Sequence, residues 1–425
     1  MSKGISNTVV WKANRVVPKA LRVIAALAVG ALAATAMAGC SSARPKVGAT
    51  LPARVAAAPV AAVNPLTGVR PSPGGPVIAV KLDDTAAGRP SMGLDRADVI
   101  YIEEVEGGLS RMLAVFASGK PSVRAVRSIR ASDPELLGQY GSIIAVASGG
   151  GRKALRILDA SNLHSVVNDR GQVGFHRDPS RPAPYNLVSN LATVSAAIRA
   201  DAVRNVGFTW AARDPQLVAA KRATTVSTLV GSTRVGFVWD PSLARDIRTV
   251  DGQRIRTAGG ALVAKPNVLV QFCRVQADPT DHDVNGNPAM FTTTVGSGPV
   301  VLLRNGKRIP GTWSRPSLEA PTTFRDAAGK PLLFASGGTF VALAVPRPLP
   351  DPVIWGSGDL ADDVVDARDE LRDVIGLDGG EHAHAQLVAP QLAVGLDVDD
   401  TVGAQHRGHR GSVDIVGEVD RPDNQ

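Results

Sequence analysis

Acidic residues capable of acid–base chemistry follow apolar segments between residues 79 and 130. Asp83 ends a run typical of a buried strand, and Glu103 and Glu106 lead into the Gly107-Gly108 turn. Acids at the carboxyl end of a strand in an α/β fold stand where sites usually form. The glycines would let the backbone approach a ligand closely. We therefore take the three acids as candidate catalytic or metal-binding residues.

Basic residues follow in the same region. Arg124, Arg127 and Arg130 recur at three-residue spacing, with Ser128 among them, and form one stripe if the segment turns. A guanidinium fork binds phosphate or carboxylate through two parallel hydrogen bonds. The alternative is that these arginines pair with the neighbouring acids around a packed core, since such networks also occur without function. The sequence leaves both interpretations open.

A second polar cluster lies in the proline-rich loop that runs from Gly174 to Asn186. Surface loops of this kind often line sites, so Arg177 and Asn186 are candidate ligand-binding residues. His176 is a candidate general acid or base, and the commoner alternative is a histidine that only packs the loop. The chain has no metal-ligand spacing of useful strength, no Walker loop and no Gly-x-Ser-x-Gly elbow.

The N-terminus has the organisation of a secretory signal. Five basic residues precede the cysteine Cys40, without any acid, and a sixteen-residue apolar run from Val23 to Ala38 follows them. Because Cys40 comes directly after Ala38-Gly39, the segment indicates a bacterial lipobox with Cys40 as the lipidation site. A retained transmembrane helix is the alternative, although a spanning helix needs about 20 residues. Both place the body outside the cytoplasm on a membrane, and we expect a lipid anchor on the outer face.

Charge is distributed unevenly along the chain. The overall charge is +8, but residues 351–425 carry −12 and the signal +5, which leaves +15 on residues 40–350. A basic exported body suits an anionic partner such as a polyprenyl phosphate or an anionic wall polymer. The location disfavours nucleic acid. Cys273 has no partner if Cys40 is acylated, and its apolar surroundings predict a small buried residue rather than a catalytic thiol.

The composition divides the chain into five parts. These are a signal peptide (1–39), a flexible tether (40–63), a first domain (64–205), a second domain (225–345) and an acidic tail (350–425). The tail has the composition of a disordered segment, and reading a GC-rich gene out of frame also produces such a composition. Its four histidines are weak candidates for a metal site.

Local patterns predict an α/β (or α+β) first domain with a mixed sheet, followed by a smaller, mostly-β domain. Strands are expected at 76–82, 97–103, 111–117, 122–126 and 142–147, with helices starting at Asp133 and covering 151–159 and 186–200. From about 225, short strands and turns dominate. Asn305-Gly306, between two of these strands, is a strong hairpin signal because a type I′ turn needs positive φ at both positions.

Motifs along residues 64–345 resemble the YerB-like bacterial lipoproteins, a family of unknown function. The matching segments include Asn64-Pro-Leu-Thr-Gly68, Val80-Lys-Leu-Asp83, Ala97-Asp-Val-Ile-Tyr101, Val105-Glu-Gly-Gly108, Val126-Arg-Ser-Ile-Arg130, Gly311-Thr-Trp313 and Gly338-Thr-Phe340. The resemblance implies an α/β-type N-terminal domain and a β-rich C-terminal domain, without an established reaction. The chain departs from it at Ile102, where many members have a second acid, and in the tail.

The arginine-rich strands that end in Arg-Ser-Ile-Arg also resemble, loosely, the polyprenyl-pyrophosphate-binding fold of the LytR-CpsA-Psr transferases. This likeness implies that Arg89, Arg111, Arg127 and Arg130 clamp a phosphate and that Asp83 holds a divalent cation. Two functions follow as expectations. One is a membrane-tethered protein that binds an anionic envelope ligand, and the other is a hydrolase or transferase acting on a phosphate-linked lipid or glycan.

Overall fold

A computed structural model describes residues 61–345 and the strand 353–356. The predicted signal peptide, the predicted lipidation site Cys40, most of the predicted tether and the remainder of the tail lie outside the described residues. Within the described part, no helix has both the length and the apolar character needed to cross a bilayer.

Short helices and many strands make up the described chain. The helices are α1 (Asp133–Leu137), α2 (Arg152–Ala160) and α3 (Leu191–Ala197). The first eight strands are β1 (Ile78–Asp83), β2 (Val99–Glu104), β3 (Ser110–Phe116), β4 (Ser122–Arg124), β5 (Ile144–Ala147), β6 (His164–Val167), β7 (Phe175–Arg177) and β8 (Leu187–Asn190). The next eight are β9 (Thr209–Trp210), β10 (Lys221–Arg222), β11 (Thr225–Val230), β12 (Thr233–Asp240), β13 (Arg245–Val250), β14 (Gln253–Arg254), β15 (Ala264–Lys265) and β16 (Asn267–Phe272). The last eight are β17 (Val275–His282), β18 (Pro288–Thr292), β19 (Gly296–Arg304), β20 (Lys307–Arg315), β21 (Thr323–Asp326), β22 (Leu333–Phe334), β23 (Thr339–Ala344) and β24 (Val353–Gly356).

One mixed sheet of eleven strands runs through the described molecule. Its order is β10-β20-β19-β16-β23-β2-β3-β1-β5-β6, with β21 on β20. β23 lies between β2 and β16 and is parallel to both, whereas β3 is antiparallel to its neighbours β1 and β2. A late strand therefore joins the early strands to the C-terminal ones.

A second sheet of six strands has the order β14-β13-β12-β11-β24, with β15 on β13. It packs on one face of the large sheet. Since side chains alternate between faces along a strand, Ile78, Val80 and Leu82 share a core cluster with Phe237 and Val250 of this second sheet. The other face of the large sheet contributes to a core that includes residues of α1 and α2. Charged residues near the ends of β1 to β3 that point to this face lie beside those helices.

Most predicted strands are confirmed within a few residues, as is the helix predicted at 151–159. The helix predicted over 186–200 is wrong in extent, because Leu187–Asn190 forms β8 and only Leu191–Ala197 is helical. The side chain of Asn190 accepts a hydrogen bond from the Thr193 amide and starts this helix. The N-terminal region has the expected mixed sheet, but 43% strand against 13% helix makes the chain mostly β, rather than an alternation of strands and helices.

Candidate functional site

Strand pairing brings the acids and arginines of the first domain to one end of the large sheet. Arg111 of β3 lies in register with Asp83 of β1 on one side and with Glu103 of β2 on the other. Arg127 and Arg130 come from the segment after β4, whose backbone is held by hydrogen bonds from the Arg127 amide to Lys81 and from the Ile129 amide to Gly149. Two chain segments, β3 and the segment after β4, thereby place three guanidinium groups in one region.

Asp83 is the fully buried centre of this region. Its Oδ1 accepts hydrogen bonds from the Thr85 amide at 2.6 Å and the Thr85 hydroxyl at 2.5 Å. Its Oδ2 accepts a hydrogen bond from Arg127 and lies 3.6 Å from Nη2 of Arg111. The guanidinium carbon of Arg127 lies 5.4 Å from the centre of the Tyr185 ring, in cation–π range. Asp83 therefore acts as a fixed counter-charge that orients the arginines.

Arg130 is held by acids at its side chain and its backbone. Its side chain forms an ion pair with Glu106, and its amide donates to Asp133 at 2.6 Å. The other carboxylate oxygen of Asp133 pairs with Lys81 at 2.9 Å, and Lys81 also pairs with Glu103. Burial, followed by the nearby Asp133 carboxylate, raises the pKa of Glu103 to about 8, against the opposing effect of Lys81. This buried triad supports the arginine segment from behind.

The arginines open onto a cavity of about 500 Å³. Its lining includes Glu106, Arg111, Arg127, Ser128, Arg130 and Tyr185, together with Gly150, Gly151 and Asp169 at the start of α2 and after β6. The remaining wall is the tip of the β17–β18 hairpin, with Asp281, His282, Asp283 and Asn285. The cavity is thus bounded by an arginine wall and by an acidic wall, which consists of Asp281 and Asp283 of the hairpin together with Asp169.

Arg111 brings unused donors to the arginine wall. Its side chain is 6% exposed, yet among the described residues it makes one hydrogen bond, from Nη1 to the Ser110 carbonyl at 3.1 Å. The contact with Asp83 is beyond hydrogen-bonding distance. Burial lowers the pKa of Arg111, and Asp83 opposes that effect. A buried guanidinium with free donors at a cavity is able to bind an anionic group.

The other predicted site residues are not in this cavity. Glu103 is buried behind it, and His176 is exposed on β7. Arg177, the last residue of β7, donates to Asn186 at 2.8 Å, and the Arg89 carbonyl accepts a hydrogen bond from Arg181. Of the four candidate catalytic residues, the described structure therefore places only Glu106 on the cavity wall.

The Gly107-Gly108 turn was expected to let the backbone approach a ligand, and the structure shows a different role. Both glycines have positive φ, but they approach other parts of the chain. The Ser232 amide and hydroxyl donate to the Gly108 carbonyl at 2.7 and 2.8 Å, and Asn287 is the nearest group to Gly107. The turn is thus tied to the C-terminal strands.

No group of three His, Cys, Asp or Glu side chains with metal-binding geometry occurs among the described residues. Both carboxylate oxygens of Asp83 accept hydrogen bonds, one of them from a guanidinium group. This arrangement suits an anion beside the arginines better than a cation on Asp83. Cys273 is buried as expected, and burial raises the pKa of its thiol to about 12.

Several important residues were missed by sequence reasoning. Lys81 lies two residues before Asp83, so strand alternation was the signal that both share a face. The structure adds Asp133, the first residue of α1, whose carboxylate contacts Lys81 and the Arg130 amide. Tyr185 and Asp281 reach the cavity through folding of distant segments, and no local pattern indicates this.

Comparisons with known proteins agree with this architecture. Residues 66–204 match the N-terminal domain, and residues 225–341 the C-terminal domain, of the protein of unknown function DUF3048. The chain belongs to this YerB-like two-domain family of unknown function. It is similar to the crystal structure of the YerB protein from Bacillus subtilis, with 20% identity, a TM-score of 0.57, and coverage of 66% of this chain and 96% of that one. No curated protein matches the chain.

Proposed function

We propose that this protein is a membrane-anchored, extracytoplasmic lipoprotein that binds a phosphate- or carboxylate-bearing ligand of the cell envelope in the arginine-lined cavity. The observation that carries the proposal is Arg111, whose buried guanidinium has free donors at a cavity of about 500 Å³. Removing a guanidinium from water is costly, so its unfilled donors favour an anionic partner.

The neighbouring groups extend the same chemistry. Arg127 is 21% exposed and Arg130 is 17% exposed, so each reaches the cavity while remaining tied to an acid. Ser128 adds a hydroxyl to the same wall. Since Asp83 and Glu106 hold the arginines in place, a ligand meets guanidinium groups whose orientation is already set, which lowers the entropic cost of binding.

The anchor is proposed from the sequence around Cys40. A diacylated cysteine would hold the body close to anionic lipid through the flexible tether, and the net charge of +15 on residues 40–350 would favour that surface. We expect Cys40→Ala to remove the acylated form and to release the protein from the membrane fraction. Metabolic labelling with a palmitate analogue tests this. Unchanged labelling of the variant would contradict the anchor.

Ligand binding is tested with the full chain purified in mild detergent and titrated with farnesyl phosphate, a short polyprenyl phosphate. We expect Arg127→Ala to weaken binding about tenfold or more, because a charge-assisted pair is lost. Arg170→Ala is the matched control, since it removes an exposed arginine that pairs with Asp159 outside the cavity. Equal binding by both variants and the unaltered protein would contradict the assignment of the cavity.

A further inference from the structure

We propose that the ligand is a zwitterion, with a phosphate or carboxylate group held by the arginine wall and an ammonium group held by the acidic wall of the same cavity. This inference rests on the proposed function and names the ligand class. The arginine wall is formed by Arg111, Arg127 and Arg130, and the acidic wall by Asp169, Asp281 and Asp283.

Asp281 is the principal residue of the acidic wall. It is partly buried on β17, and its carboxylate makes no hydrogen bond or ion pair among the described residues. It lies near Gly151, where its oxygens would be 3.4 and 3.5 Å from an added Cβ atom. Because a carboxylate in a partly buried cavity is stabilised by a cation, an ammonium group is its natural partner.

Asp283 has a more structural role in the same wall. Its carboxylate accepts hydrogen bonds from the Asn285 and Asn287 amides at 2.9 and 2.8 Å, which shape the hairpin tip. The hydrogen bond from the Asn287 side chain, together with those from the two amides, lowers its pKa. Asp283 lines the same cavity as Arg130 of the arginine wall.

The hairpin is attached to the rest of the molecule, so the acidic wall is a fixed part of the cavity. Lys153 of α2 forms an ion pair with Asp278 of β17 at one side. At the other side, Asn287 lies next to the Gly107 backbone. A wall held at both sides presents its carboxylates at a set position opposite the arginines.

The charge balance favours a ligand that carries a positive group as well as an anionic one. Asp83 and Glu106 neutralise two of the three arginine charges, which leaves about +1 on the arginine wall. The acidic wall carries three carboxylates, and a ligand with only negative charge would leave them without a cation. A ligand that carries both signs satisfies both walls. Such ligands in an envelope have two sources: phosphoethanolamine headgroups and the amino-acid ends of wall peptides.

The test compares small probes by calorimetry on the full chain in detergent. O-Phosphoethanolamine and inorganic phosphate carry a similar anionic group and differ in the ammonium group, whereas β-alanine carries a carboxylate with the same ammonium. We expect O-phosphoethanolamine or β-alanine to bind about tenfold more tightly than inorganic phosphate. Tighter binding of O-phosphoethanolamine would indicate a lipid headgroup, and tighter binding of β-alanine would indicate an amino-acid source.

Asp281→Asn is the matching variant, because it keeps the shape of a side chain that has no partner and should not disturb folding. We expect it to weaken zwitterion binding about tenfold and to leave phosphate binding equal or tighter. The control Asp251→Asn removes the same charge from an exposed turn outside the cavity.

The outcomes separate this inference from the proposed function. If phosphate binds as tightly as both zwitterions and Asp281→Asn has no effect, the zwitterion proposal is wrong. The proposal of an anion-binding site would not be affected by that result. Failure of phosphate, both zwitterions and farnesyl phosphate to bind at all would overturn both.

Discussion

At the scale of single residues, the site depends on buried charges that neutralise one another. Asp83 sits between two guanidinium groups, and Lys81 sits between Glu103 and Asp133. Buried ions are costly unless they are paired, so each of these groups depends on its partners. The sequence left two arrangements open for the arginine stripe, and both occur: Arg127 and Arg130 pair with acids and also line a cavity. Arg124 pairs with Asp178 and is not part of the cavity lining.

Glu103 provides a prediction on pH. Its pKa is about 8 in the folded chain, above its ordinary value of 4.5, so the folded state holds a proton that the unfolded state releases. The resulting stability is fully present below pH about 4.5 and is lost as the pH rises through about 8. We expect Glu103→Gln to reduce this pH dependence. Between pH 5 and pH 8, the unfolding free energy of the unaltered protein should fall by about 2 kcal/mol more than that of the variant.

Urea denaturation at pH 5, 6.5 and 8 measures this change. The control is Glu319→Gln, which alters an exposed glutamate and should keep the pH dependence of the unaltered protein. An identical pH dependence in Glu103→Gln and the unaltered protein would show that the buried triad does not hold the extra proton.

At the scale of elements, turn chemistry was the most reliable sequence signal. Asn305 and Gly306 have φ of 54° and 67° and join β19 to β20, as the hairpin pattern predicted. The signal is local, since only backbone conformation decides it. The β17–β18 hairpin, by contrast, was not recognised as a cavity wall, because its role depends on contacts with α2 and with the turn at Gly107.

Gly306 is predicted to be sensitive for two reasons. A Cβ atom there would be strained by the positive φ and would lie 2.9 Å from a ring carbon of Trp239. We expect Gly306→Ala to lower the unfolding free energy by about 2 kcal/mol or more. Gly329→Ala is the matched control, with φ of 75° and open space around the added carbon, and should cost about 1 kcal/mol. Chemical denaturation measures both, and equal losses would contradict a role for Trp239.

At the scale of the whole molecule, the two family domains share one sheet. Sequence periodicity correctly indicated a mixed sheet followed by a β-rich region, but it could not show that β23 inserts between β2 and β16. Strand order over such a separation in sequence is set by tertiary packing, for which local patterns carry no signal. The same long-range contacts bring the hairpin to the arginines, so the complete cavity was not predictable from either half alone.

Phe340 tests this shared core. It is fully buried on β23, and its ring centre lies 5.1 Å from that of Phe237 in the second sheet. We expect Phe340→Ala to lower stability by about 3–5 kcal/mol and to keep a single unfolding transition, because both regions depend on the same strand. Leu243→Ala, at an exposed position, should cost far less. Fluorescence and circular dichroism follow the denaturation. Two separate transitions would contradict a core shared by both regions.

The arginine wall is proposed as an anion-binding site, and the position of a bound anion in a crystal tests this directly. Crystals of the protein soaked in tungstate, a heavy analogue of phosphate, give an anomalous signal at each bound ion. We expect a peak in the cavity within hydrogen-bonding distance of Arg111 and Arg127, and we expect this peak to be absent in Arg127→Ala. Peaks only at other surfaces, with this cavity empty of tungstate, would contradict it.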